Sequence, residues 1–252
     1  MPRPGRAGPP AAIKSAARTL EIFEFFRARQ HPATVSEVAA GLGIPQSSTS
    51  MLLKSLVTLN YLDYRPATRR FAPTFRVTML GNWIGPRYAN EAITDIMEHL
   101  RRETGETVFL GMESGPTIQY VHLLPGIFPL QLTAAVGTIR PMTLSAIGRM
   151  ILSEKPAAQI RAIVRRNNAD AEEPEQRVPE NEFLNDIEVI RAQGYAESRG
   201  RMTPGANVIA MLVPGDDSGP RLGIGIGGPT TRLDERRDLI IAVMRRHLGK
   251  GR

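Results

Sequence analysis

Residues 13–86 are cut into short periodic pieces by closely spaced turn residues, and this punctuation constrains the fold more than anything else in the chain. Ser15 can cap a first helix that runs to about Ala28, with Ala16, Leu20, Phe23 and Phe26 on one face. His31-Pro32 stops it. A second helix starts near Val35, with Thr34 or Ser36 as cap and Glu37 at the positive end of its dipole. Val38, Ala39 and Leu42 give it an inward face. Gly41-Leu42-Gly43-Ile44 forms a turn where glycine permits a positive φ. A third helix begins at Pro45 and runs to about Leu59, burying Thr49, Leu52, Leu53, Leu56 and Leu59. Residues 61–65 and 69–72 then flank Pro66-Ala67-Thr68 and predict a hairpin. Three helices and a hairpin in this order describe a winged helix-turn-helix.

Charge falls on the same segment. Residues 1–86 hold 11 Lys and Arg against 4 Asp and Glu, while residues 87–252 hold 21 against 21. The whole net charge of +7 therefore belongs to the first third of the chain. One end is built to meet a polyanion and the other is not. DNA is the polyanion expected, because neutralising phosphates releases condensed counterions. With the apolar set of the third helix turned inward, Gln46, Ser47, Ser50, Met51 and Lys54 remain outside, and Ser36 and Ser48 are further DNA-contact candidates. Gln can pair bidentately with adenine, Ser donates to phosphates or base edges, and Lys reaches phosphate or guanine. Arg65, Arg69 and Arg70 at the hairpin tip suit phosphate and minor-groove contacts. Residues 1–12 read as a disordered basic arm, a solvated tail with Arg3 and Arg6 in reach of DNA.

Several chemistries are not supported. With no cysteine, the chain has no disulfide, thiolate zinc site, iron–sulfur ligand or thiol nucleophile. No apolar run approaches the roughly 20 residues of a membrane span, and residues 1–10 lack the apolar core of a secretory signal. These features fit a cytoplasmic protein. His31, His99, His122 and His247 show no metal-ligand spacing, so no metal is expected. No Gly-x-Ser-x-Gly elbow appears, and neither catalytic residues nor a cofactor are expected. Gly223-Ile224-Gly225-Ile226-Gly227-Gly228 echoes a dinucleotide loop. It lacks the strand–turn–helix context and reads as close backbone packing or pocket lining.

The second half changes period. Residues 88–102 form an amphipathic helix with Ala92, Ile93, Ile96, Met97 and Leu100 inward, ending near Thr104-Gly105. Strands are expected at 107–112 and 117–124 around a turn, and at 130–135. Helices follow at 143–153 and 156–166, then an acidic mobile loop at 167–180. A helix over 181–193 stops at Gly194, strands follow at 207–213 and 221–226, and a final helix spans 232–248. Strands and helices in this arrangement imply an α+β fold on an antiparallel sheet.

The first region resembles the DNA-binding domain of the IclR family of bacterial transcriptional regulators. The resemblance is carried by Ala17-Arg18-Thr19-Leu20-Glu21-Ile22, Val35-Ser36-Glu37-Val38-Ala39, Gly43-Ile44-Pro45-Gln46-Ser47-Ser48, residues 52–62 and Thr68-Arg69-Arg70-Phe71. The second region resembles the family's GAF-like effector-binding domain through Glu103-Thr104-Gly105-Glu106-Thr107-Val108, residues 140–151, Gly194-Tyr195-Ala196 and Gly228-Pro229 with Arg232. Two departures stand in the first region: Met51 where the family often has Arg, and Arg69 where it often has Gly.

The resemblance implies a ligand-responsive regulator, with repression the expected sign. It would bind a palindromic double-stranded operator as a homodimer, with pairing of dimers left open. The implied domains are a winged helix-turn-helix over 13–86, a linker helix over 87–104 and an effector domain over 105–252. The positions that match the family's carboxylate-holding groups are Ala146, Ile147, Ser198, Val208, Gly225 and Gly227. Met112, His122, Met142 and Thr143 are further lining candidates. Polar anchors have become apolar there, so an apolar or aromatic metabolite is the expected effector. The alternative is an enzyme or metabolite-binding protein with an accessory DNA-binding domain.

Overall fold

The computed structural model describes residues 13–80, 91–215 and 220–249. The chain divides into two compact units between Gly85 and Pro86. The arm over 1–12, the start of the linker helix at 87–90 and the 216–219 turn lie outside the described residues.

In the first unit, α1 (Lys14–Arg29), α2 (Val35–Leu42) and α3 (Gln46–Thr58) precede a hairpin of β1 (Leu62–Arg65) and β2 (Arg70–Pro73), then the short α4 (Phe75–Met79). The second helix is specified most locally. Thr34 accepts from the Glu37 amide and Glu37 reaches back to the Thr34 amide, a complete capping box. Gly43 then ends the helix at φ 62°. Ile22, Phe26, Val38, Leu53, Leu56, Leu62 and Phe71 form one core. A bridge between Ala33 and Phe71 ties the hairpin to the start of α2.

Three expectations fail here. Ser15 lies inside α1, whose N-cap is Ile13 without a side-chain bond. Ala16 and Leu20 face solvent, and the buried stripe is Ile22 with Phe26, one turn apart. Leu59 is exposed because α3 ends at Thr58 and the chain turns through Asn60 at φ 61°.

In the second unit a six-stranded antiparallel sheet has the order β5-β4-β3-β8-β7-β6. Its strands are β3 (Thr107–Ser114), β4 (Thr117–Leu124), β5 (Ile139–Pro141), β6 (Ala196–Glu197), β7 (Ala206–Leu212) and β8 (Leu222–Pro229). Strand alternation splits the core in two. Val108, Leu110, Ile209, Met211, Ile224 and Ile226 face α5 (Glu91–Thr104), α9 (Thr230–Glu235) and α10 (Arg237–Leu248). Phe109, Ile118, Tyr120, Val208 and Ala210 face α6 (Ala146–Leu152), α7 (Ala157–Asp170) and α8 (Glu180–Gln193).

The glycine run is the close-packing face of β8. A Cβ at Gly223 would sit 2.8 Å from Ile147 Cγ2, and one at Gly225 would sit 3.2 Å from its Cδ1. The missing side chains let α6 approach the sheet, and Ile147 fills the space.

Other differences concern short elements. Residues 130–135 form no strand; the sheet edge is β5 instead, starting four residues further on, and β6 has only two residues. Residues 167–180 are largely ordered: α7 continues to Asp170, a 3-10 turn spans Pro174–Gln176, and the Asn168 amide clamps the Val178 backbone at 2.8 and 2.9 Å. The final helix is broken at Arg236 into α9 and α10. Glu106 pairs with Arg232 inside α9, one turn before that break. Arg232 donates to both carboxylate oxygens of the fully buried Glu106, at 2.5 and 2.7 Å, and stacks 4.2 Å over Phe128. Gly228 has no room for a Cβ because Glu106 Oε2 would lie 2.3 Å away.

Candidate functional site

The first unit presents a groove walled by α3, the start of α2 and the wing. Ser36, Ser50, Lys54 and Arg69 line it, with Tyr64 and Phe71 as its apolar floor. Gln46 donates to Ser36 Oγ at 3.0 Å, which fixes both side chains at the amino end of α3. That end is where a recognition helix meets base edges. Ser47 and Met51 are exposed on the same helix, Met51 at 69%, and Ser48 is half-buried.

The cations sort into two groups. Lys54, Arg65 and Arg69 are exposed and form no ion pair among the described residues. Arg70 differs from the expectation that it reaches out from the wing tip. Its Nη1 donates to the Pro32 carbonyl at 2.7 Å and to Glu37 at 3.2 Å. Glu37 also takes Arg29 at 2.5 Å. Arg70 therefore ties the wing to α2. Charge alone could not reveal a partner 33 residues upstream.

Arg69 holds φ at 54°, the left-handed region that favours glycine. The loop needs that conformation to close between Arg65 and Arg70, which are paired across the hairpin. An arginine here places a guanidinium at the tip at some backbone cost, about 1–2 kcal/mol.

Glu37 is held far below the ordinary carboxylate value of 4.5, at about 2. The main cause is the Thr34 amide of the capping box, helped by the Thr34 hydroxyl, Arg29 and Arg70. A depressed folded-state pKa gives stability that is present above the unfolded value and lost as pH falls. The first unit is therefore expected to weaken between pH 4.5 and about 2. Replacing Glu37 by Gln should flatten that part of the pH–stability curve, read by circular dichroism melts at stepped pH.

In the second unit a cavity lies between the sheet and the start of α6. Its volume is about 40 Å³. Ala146, Ser198 and Val208 line it, as the sequence suggested. Gly227 lies behind its wall, since a Cβ there would meet Leu132 and Phe109 at 2.8 Å.

Six expected residues lie elsewhere. Ile147 and Gly225 pack against each other in the core. Met142 is fully buried against Gly148. Thr143 bonds Asn167 Oδ1 through its amide and hydroxyl, at 3.3 and 3.2 Å. Met112 and His122 are half-buried outside the wall, which Phe109 and Tyr120 close with rings 5.0 Å apart.

Sequence reasoning missed Arg140, Tyr120, Thr133, Met202 and Thr203, all of which line the cavity. Ser145 and Ser198 also line it, but their hydroxyls cap α6 and bond the Val208 amide at 2.9 Å. Arg140, Thr133, Thr203 and the Tyr120 phenol add further polar groups to the wall. Burial pushes the Tyr120 phenol above its ordinary value, opposed by the adjacent Arg140 guanidinium. It stays a neutral donor at physiological pH.

Elsewhere, His99 and His247 stack 5.3 Å apart despite their sequence distance, and His247 meets Glu103 at 2.7 Å. No group of three metal-binding side chains occurs among the described residues. Nor is any helix there long and apolar enough to cross a membrane.

Residues 15–66 match the IclR helix-turn-helix domain, and residues 89–247 match the C-terminal domain of the bacterial transcriptional regulator IclR. The chain belongs to the IclR family. Among curated relatives, the HTH-type transcriptional repressor AllR of Escherichia coli strain K12 is 24% identical over 250 residues, covering 93% of this chain and 88% of AllR. The crystal structure of Thermotoga maritima IclR superposes with a TM-score of 0.73 at 18% identity, covering 94% and 96% of the two chains. An IclR homologue from Microbacterium hydrocarbonoxydans, complexed with 4-hydroxybenzoate, superposes at 0.69 with 15% identity, covering 91% and 97%. This IclR-family protein is a DNA-binding transcriptional regulator with an effector domain, on an α+β fold. The reading as an enzyme with an accessory DNA-binding domain is set aside, because the family and its matched members are regulators.

Proposed function

We propose that the protein is a repressor whose α3 enters the major groove of a palindromic operator. Gln46, held by Ser36, would read base edges there. Ser47, Ser48, Ser50 and Lys54 would fix register, with Arg65 and Arg69 on the flanking phosphates. The observation that carries this is the set of exposed cations around a polar helix face that form no ion pair among the described residues. Two copies would place two such helices about 34 Å apart, so a homodimer is the working form. Its place is the bacterial cytosol, on the nucleoid. The segment 87–104 joins a reader over 13–86 to a sensor over 105–252.

The effector we infer is a compact organic acid with an apolar or aromatic body. Arg140 supplies the charge for its carboxylate, Thr133, Thr203 and Tyr120 supply hydrogen bonds, and Phe109, Leu132 and Met202 supply apolar contact. A homologue's complex with 4-hydroxybenzoate supports that class. Filling a cavity this narrow requires Leu132 or Met202 to move, and a ligand shifts the DNA-competent population only by its differential affinity for the two states.

The test is operator anisotropy with and without benzoate and 4-hydroxybenzoate. An acid is expected to weaken the wild-type complex, and Arg140→Met should abolish that response while leaving ligand-free binding intact. An unchanged response in Arg140→Met would refute the assignment.

A further inference from the structure

A second groove of about 150 Å³ runs between α8 and the 198–205 loop, lined by Arg149, Arg199, Arg201, Asp186 and Glu197. Its charge is unbalanced. Asp186 takes Arg149 at 2.6 Å and Arg201 at 3.7 Å. Glu197 takes Arg199 at 3.2 Å and Arg237 at 2.7 Å. The three arginines of the groove thus face two carboxylates, and Arg237, which also meets Asp238 at 3.7 Å, adds a fourth guanidinium and a third carboxylate.

Arg149 stands out among them. Its side chain is 5% exposed, it lies 5.3 Å over Phe183, and its Nε has no hydrogen-bond partner among the described residues. A buried guanidinium normally has its donors matched. Burial lowers its pKa, and the nearby charges of Arg201 and Arg199 add to that. Arg199 is held at φ 46°, followed by Gly200 at φ 76°. That strained turn brings the Arg199 and Arg201 side chains to this groove, while Ser198, Met202 and Thr203 of the same loop face the cavity described above.

We propose that this groove binds a compact oxyanion, either a phosphoryl group or a dicarboxylate, at Arg149, Arg199 and Arg201. Planar guanidinium forks suit both chemistries, and an anion there would offset the excess positive charge. The site is separate from the Arg140 cavity, and its test needs neither DNA nor the effector.

The experiment is isothermal titration calorimetry of the full chain with inorganic phosphate and, in a second arm, succinate, at fixed ionic strength. Saturable one-site binding of either supports the proposal, and the arm that binds names the chemistry. Arg201→Gln should weaken it roughly tenfold or more, the effect of losing a charge-assisted hydrogen bond. Asp186→Asn should tighten it several-fold by releasing Arg149 and Arg201. Opposite signs distinguish a site from general ionic effects. No saturable binding of either anion, or equal affinity in the wild type and Arg201→Gln, would overturn the proposal.

Discussion

Arg232→Met is expected to destabilise the second unit by about 3–5 kcal/mol, the effect of leaving a buried charge unpaired. Glu106 is wholly buried, and Arg232 bonds both of its oxygens. Removing the guanidinium strands the carboxylate between Gly228 and the core, where not even a Cβ fits. The same arginine also bonds the Leu130 carbonyl at 2.9 Å and covers Phe128, so the 125–138 segment should loosen with it. Urea denaturation followed by near-ultraviolet circular dichroism reads the cost. The double variant Glu106→Met with Arg232→Met should recover part of it, since no charge is then left buried. A loss under 1 kcal/mol in the single variant would show that the pair contributes little, as exposed ion pairs do.

Changing Lys54, Arg65 and Arg69 together to Gln is expected to weaken operator binding roughly a hundredfold near physiological salt. It should also flatten the plot of log K against log salt, by about 0.9 for each phosphate no longer neutralised. Unrelated duplexes should lose affinity in parallel, because phosphate contacts carry no sequence information. Arg70→Gln is the internal control. Its guanidinium is bonded to Pro32 and Glu37, so its cost should fall on the wing's stability, about 1 kcal/mol after solvent screening. Its salt slope should match the wild type. If Arg70→Gln flattened the slope as much as the triple variant, the division of the cations into DNA-facing and structural groups would be wrong.

Legibility followed the range of the determining interactions. The helix-turn-helix and wing were readable because their signals are local: the Thr34–Glu37 box, Gly43, and the proline turn at 66–68. The inward face of α1 was misread because Leu20, Ile22, Phe23, Phe25 and Phe26 offer two overlapping stripes. Packing against Leu53 and Phe71 decides between them. Strands of two and three residues carry no period, so β5 and β6 escaped notice, and Arg140 went with β5. In the effector domain, positions carried over by family likeness gave three of the cavity's lining residues. They failed at Ile147 and Gly225, where an isoleucine fills a glycine face that the sequence alone had read as possible pocket. Arg70 failed for a third reason: exposed and committed arginines look identical until their partners are placed.

The chain contains no cysteine, so single thiols can be introduced without background. Met51 is 69% exposed on the polar face of α3, and Val189 is 58% exposed on α8. The most direct measurement is the alkylation rate of Met51→Cys and Val189→Cys, with and without saturating operator duplex. DNA is expected to slow reaction at position 51 at least tenfold and leave position 189 unchanged. An unaltered rate at 51 in a demonstrably bound complex would mean that α3 does not face the duplex.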